Sequence, residues 1–115
     1  MNKTITFFCE NEGYEDNSIE IKSKWTGEEA KQCDMAYTWS VMLPLLKAKV
    51  ESCHLVRDDG TVMTDITELT EETRYQFDPV LQGFIGGILT TAAGHLRQLG
   101  NGSARTLSPT AAGKK

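Results

Sequence analysis

The sequence predicts an α+β fold, mainly helical, in which an N-terminal β-hairpin packs against two to three helices and a disordered C-terminal tail follows. Three observations predict it. Residues 3–25 twice alternate apolar and polar side chains at period two, the mark of half-buried strands. Residues 26–48 and 79–99 carry apolar groups at three- and four-residue steps, as amphipathic helices do. Residues 100–115 hold too few large apolar groups to offset the entropy of ordering them. The expected organisation is one α+β domain over residues 1–99 and a flexible basic tail over residues 100–115.

In Lys3–Cys9, Ile5, Phe7 and Cys9 alternate with Thr4, Thr6 and Phe8; β-branched and aromatic content favours a strand. Ser18–Trp25 repeats this, with Ile19 and Ile21 against Glu20, Lys22 and Lys24. The segment between them, E-N-E-G-Y-E-D-N, has turn chemistry, so the two runs form a hairpin. Thr26-Gly27-Glu28-Glu29 reads as a capping box that starts a helix. Ala30, Cys33, Tyr37, Val41, Leu45 and Ala48 continue it at helical spacing, with Ala36, Ser40 and Pro44 widening the stripe. Pro44 lacks an N–H and crowds the carbonyl of Ser40. The segment is therefore one kinked helix or two helices meeting near Met42, and the break is the favoured reading.

Residues 51–64 fit two readings. Asp59-Gly60 between Leu55-Val56 and Val62-Met63 is a strong two-residue turn signal for a short hairpin. A helix end followed by an ordered acidic loop fits the local pattern as well. Asp65 and Thr70 are N-cap candidates for short turns, and Asp78-Pro79 is a stronger helix start, since proline at the first helical position forfeits no hydrogen bond. From there Leu81, Phe84, Ile85, Ile88, Leu89, Ala92, Leu96 and Leu99 hold one stripe, and Gly100 is the expected stop.

Composition excludes several functional classes. A length of 115 residues suits one modest core, and 39% hydrophobic with 24% charged residues is ordinary for a soluble chain. Cys9, Cys33 and Cys53 are odd in number and contain no C-x-x-C pair, which points to reduced thiols in a cytoplasm. Residues 2–6 read as a polar strand rather than a secretory signal. The longest mostly apolar stretch, Phe84–Ala93, is far short of the ~20 residues that cross a bilayer, so no membrane partner is expected. Net charge is −4, and with Arg105, Lys114 and Lys115 set aside residues 1–99 carry −7. Such a body repels a phosphate backbone, so no nucleic-acid partner is expected.

No constellation of catalytic chemistry stands out. Asp58, Asp59, Asp65, Glu68, Glu71 and Glu72 lie close together, but an EF-hand loop counted from Asp58 would place Met63 where glycine is required and Leu69 where glutamate is required. Cys53 and His54 are adjacent, an arrangement that rarely lets a base face a nucleophile. The scattered Cys and His residues offer no zinc chelate, and no phosphate-cradling glycine loop or G-x-S-x-G elbow is present. The reading is therefore of a protein that is not an enzyme, with no catalytic, metal-ligating or cofactor-binding residues and no cofactor.

The closing helix carries the candidate site. Gly83, Gly87, Thr91 and Gly94 fall near one face with Gly86 beside them, although each interior glycine costs about 1 kcal/mol relative to alanine. Either the helix packs closely inside its own fold, or a second chain's helix approaches it. On the second reading Leu81, Phe84, Ile85, Ile88, Gly83 and Gly87 bind a protein partner, with self-association as one form of that contact. Trp25 and Trp39 read as anchors of the core or of helix starts.

In order the chain runs S-I-E-I-K-S-K-W, T-G-E-E-A-K-Q-C-D-M-A-Y-T-W, L-V-R-D-D-G-T-V-M-T-D-I-T-E-L-T and D-P-V-L-Q-G-F-I-G-G-I-L-T-T-A-A. In this arrangement, over about residues 15–99, it resembles the tail assembly chaperones of long-tailed bacteriophages. That family's acidic turn usually follows a Trp and precedes a P-L-P-like segment, where this chain has His54-Leu55 and Val62-Met63-Thr64. The resemblance implies a late phage protein that coats the tape-measure protein before the tail tube polymerises. It also implies synthesis in the cytoplasm of the infected host and no necessary place in the finished virion. The alternative is a small acidic phage-encoded inhibitor or DNA mimic that binds a host protein, with Glu10–Asp16 and Asp58–Glu72 imitating phosphates. A mimic would set both clusters on one face in rows, whereas a chaperone would expose an apolar groove.

Overall fold

Strands β1 (Thr4–Phe8) and β2 (Ser18–Lys22) form the expected antiparallel hairpin, with Thr4 opposite Lys22 and Phe8 opposite Ser18, in a computed structural model that describes the backbone of residues 3–107 and the side chains of residues 3–100. The connecting turn passes through Gly13 at φ +90°, a backbone region that favours glycine. Asn17 closes it, donating its N–H and its side-chain amide to the Tyr14 carbonyl and accepting from the Cys9 N–H.

The open choice over residues 51–64 resolves to a hairpin. Strand β3 (Val50–Val56) pairs antiparallel with β2 and with a short β4 (Val62–Met63), Leu55 standing opposite Met63 across a turn with Gly60 at φ +89°. The sheet therefore runs β1-β2-β3-β4. A bulge lies where Glu20 faces Ser52 and Ile21 faces Val50, leaving Glu51 as the extra residue. Both Glu51 and Ser52 are exposed while Val50, Cys53 and Leu55 are buried, so the bulge interrupts the alternation that would have marked β3 in the sequence.

Helix α1 (Gly27–Asp34) begins with the capping box: the Thr26 hydroxyl accepts from Glu29 N–H at 3.1 Å, and Glu29 Oε1 accepts from Thr26 N–H at 2.8 Å. The expected break near Met42 is instead at Met35–Thr38, and α2 (Trp39–Lys49) contains both Met42 and Pro44. Pro44 is tolerated because it and Ser40 lie on the exposed side of α2, where the unpaired carbonyl meets water. The displaced break rotates the stripe: Met42, Leu43, Leu45 and Leu46 are buried, while Tyr37 and Val41 face solvent.

Asp65 caps the 3₁₀ turn Ile66–Glu68 by accepting from Thr67 N–H; at the second turn, Thr73–Gln76, Glu72 rather than Thr70 holds the N-cap position, without a side-chain bond, while the Thr70 and Thr73 hydroxyls each accept from the other's backbone N–H. Asp78 caps α3 (Pro79–Leu107) by accepting from Leu81 N–H at 3.1 Å. Gly100 does not end the helix, which runs through it to Leu107: a glycine lowers helix stability without blocking the hydrogen-bond ladder, and no left-handed cap forms there. Of the tail expected over residues 100–115, the backbone to 107 is helical and residues 108–115 lie outside the described residues.

The core lies between one sheet face and the helices. Ile19 and Ile21 of β2, Leu55 of β3, Met63 of β4, Leu46 of α2, Leu69 and Phe77 of the connecting segment, and Ile85 and Leu89 of α3 are its most buried large side chains. The opposite sheet face is polar, with Glu20 accepting from the hydroxyls of Thr4 and Ser52. Trp25 and Trp39 are half-buried at the edge of this core. Among the described residues no helix is long and apolar enough to cross a membrane.

Candidate functional site

The six residues singled out on α3 divide into two groups. Leu81, Ile85 and Ile88 are core residues with at most 3% exposure, so they are not available on the folded surface. Their apolar stripe is spent inside the domain, which is what a 3.6-residue period most simply means. Gly83, Phe84 and Gly87 lie beside that stripe and, with Thr91 and the edge of the otherwise buried Ile88, form one wall of a groove of about 300 Å³ whose other wall is Phe7, Phe8, Glu10 and Asn11 of the first hairpin.

The glycines divide similarly. A Cβ on Gly86 would stand 3.5 Å from Trp39 Cζ2, so this glycine serves packing within the fold. Gly83, Gly87 and Gly94 would meet nothing within 4 Å. Above Trp39, the Arg74 guanidinium lies 5.1 Å from its ring and 4.6 Å from that of Tyr75, with Arg74 Nε buried and unpaired.

A second surface follows from the displaced helix break. Met35 is 56% exposed, Tyr37 85% and Val41 53%, all within or beside the α1–α2 corner. Met35, Val41, Pro44 and Leu45 line a cleft of about 360 Å³ rimmed by Glu28, Lys31 and Gln32. Its floor is apolar and its rim carries both signs of charge, the usual anatomy of a protein-binding patch. Sequence periodicity placed Tyr37 and Val41 on a buried stripe and so missed this surface. Thr38 was the available signal, an extended residue with ψ 160° that starts a new helix at Trp39.

At one end of the sheet the two acidic segments meet. The Asp16 carbonyl accepts from His54 Nδ1 at 3.0 Å, and the Tyr14 hydroxyl donates to Asp78 at 2.6 Å. Asp16, Asp58 and Asp78 line one hollow with Arg57, whose guanidinium also pairs with Glu68 at 2.9 Å. The Tyr14 hydrogen bond holds the Asp78 carboxyl below its ordinary range, and the same bond with burial and the nearby charge of Asp78 raises Tyr14.

Strand alternation splits Cys53 from His54: the thiol is buried, 3.6 Å from the Met63 carbonyl, and the imidazole is exposed on the other face. Burial, then the charges of Asp65 and Glu68, push the Cys53 thiol up to about 11, far from a thiolate at neutral pH. Among the described residues no three His, Cys, Asp or Glu side chains converge to hold a metal ion.

No protein family, curated protein or solved structure matches the chain.

Proposed function

We propose that this domain is a non-catalytic protein-binding module, a tail assembly chaperone that holds an apolar segment of a helical tape-measure protein in the host cytoplasm until the tail tube forms. The observation that carries this reading is the exposure of Met35, Tyr37 and Val41 around the apolar α1–α2 cleft. An amphipathic helix presents anchors at three- and four-residue steps, which suits a groove between two helices. Methionine adapts to varied side chains, and the −7 carried by residues 1–99 favours solubility while apolar surface is exposed.

The test is co-expression with a tape-measure protein encoded alongside it, then co-purification of wild type and of Val41→Glu. Val41 is exposed, so the variant should keep the wild-type circular dichroism spectrum. Capture by wild type and loss with the folded variant supports the reading. No capture by the folded wild type overturns it.

A second reading, the acidic inhibitor or DNA mimic, draws support from Asp16, Asp58 and Asp78 sharing one hollow. On that reading Asp16→Asn with Asp58→Asn would abolish binding to a basic host partner, while Val41→Glu would leave it unchanged.

A further inference from the structure

The outer edge of β1 is the part of the sheet that nothing in the described structure accounts for. The Lys3 carbonyl accepts from Ser23 N–H and Cys9 N–H donates to the Asn17 carbonyl, so residues 3 and 9 belong to hydrogen-bonded pairs with β2. By the alternation of an antiparallel ladder, Ile5 and Phe7 also turn their backbone groups toward β2. The N–H and C=O of Thr4, Thr6 and Phe8 therefore point outward, and among the described residues no backbone bond from outside the sheet reaches them. Edge strands usually carry a charge, a proline or a bulge that blocks pairing. The run T-I-T-F-F has none of these, and Phe8 is 61% exposed.

We propose that two copies of the chain pair β1 to β1, antiparallel, about a two-fold axis at Thr6. This register sets Thr6 opposite Thr6 and Thr4 opposite Phe8, so each outward-facing residue exchanges both bonds with one counterpart. A shift by two residues leaves an outward-facing residue unmatched at each end. On the inner face Ile5 meets Phe7 of the second copy, covering two side chains that are only half-buried in the single chain. The groove walled by Gly83, Phe84 and Gly87 opens at the same edge and leaves room for the approaching copy. The −7 borne by each body opposes association, so added salt strengthens the dimer. The inference does not depend on the chaperone reading, whose test uses the α1–α2 cleft, lined by none of the β1 residues.

Sedimentation velocity over a range of protein and salt concentrations reads the association. Thr6→Pro removes an outward N–H and no bond to β2, so it should keep the wild-type circular dichroism and weaken association by at least about tenfold. Cross-linking tests the register. Hydrogen-bonded antiparallel pairs have Cα atoms about 5.5 Å apart, within disulfide reach, so oxidised Thr6→Cys should run as a covalent dimer. Thr4→Cys should not, because the two Thr4 positions lie about 13 Å apart along the strands. A wild type that stays monomeric at every concentration, a Thr6→Pro variant that dimerises as before, or equal cross-linking at both cysteines overturns the proposal. If Thr6→Pro alters the fold, the cysteine pair decides.

Discussion

Glu29 is asked to do two things at once, and replacing it should cost more than replacing its partner. Its Oε1 accepts from Thr26 N–H at 2.8 Å, which closes the capping box, and from Lys49 Nζ at 2.9 Å. The Lys49 side chain is only 8% exposed; its other contacts are the Lys24 carbonyl at 3.0 Å and the face of Trp25, 5.7 Å from the ring centroid. Glu29→Ala loses the return half of the capping box, about 1 kcal/mol, and leaves a buried ammonium without its carboxylate, about 2 kcal/mol more. The expected loss of about 3 kcal/mol lowers Tm by about 15 °C in a domain of this size. Lys49→Met keeps the apolar stem and removes the charge that needed a partner, while Glu29, 27% exposed, keeps Thr26 and gains water. That change should cost about 1 kcal/mol. Urea unfolding of both variants at pH 7, followed by circular dichroism, measures the two losses. A Glu29→Ala loss below about 1 kcal/mol, or a Lys49→Met loss that equals it, would refute the reasoning. Acid supplies a second arm. The Thr26 N–H, then Lys49, holds the Glu29 carboxyl below its ordinary value, so its contribution is complete above the unfolded carboxylate range and lost as pH falls through the folded one. Wild type should therefore lose more stability on acidification than Glu29→Ala.

Other substitutions test the packing. Asn17 is buried, and its Oδ1 accepts from Val56 N–H at 2.7 Å, so Asn17→Ala should cost about 2–3 kcal/mol in the same urea assay. Gly94→Ala meets open space within a helix and should raise stability by about 1 kcal/mol, whereas Gly86→Leu drives carbon atoms toward the Trp39 ring and should lower it by about 1–3 kcal/mol. The buried Cys53 thiol, raised to about 11, should resist iodoacetamide at pH 8 in the native protein and react once urea unfolds it, as mass spectrometry would show.

The candidate surfaces were harder to read than the fold because exposure is a property of the assembled layers. A stripe at helical spacing announces which residues are apolar; it is silent on whether the protein's own core or another chain covers them. For α3 the core covers Leu81, Ile85 and Ile88, and the accessible remainder is Gly83, Phe84 and Gly87. For the α1–α2 corner the opposite holds, since Tyr37 and Val41 keep helical spacing with Cys33 in the sequence and yet stand in solvent.

By itself the sequence determined the elements whose signals are local: the β1–β2 hairpin from two alternating runs around a turn, the α1 start from T-G-E-E, the α3 start from Asp78-Pro79, and the 3₁₀ cap at Asp65. Each rests on side chains that hydrogen-bond or pack within a few residues of themselves. Only the tertiary structure decided that Val50–Val56 is a strand beside β2, that the helical segment breaks at Met35–Thr38, and that α3 continues past Gly100. The strand needed partners some thirty residues away, and the bulge at Glu51 erased its period. The break lies where α1, packed on α3, gives way to α2, packed on the Ile66–Glu68 turn, and Thr38 at the start of α2 is its one local mark.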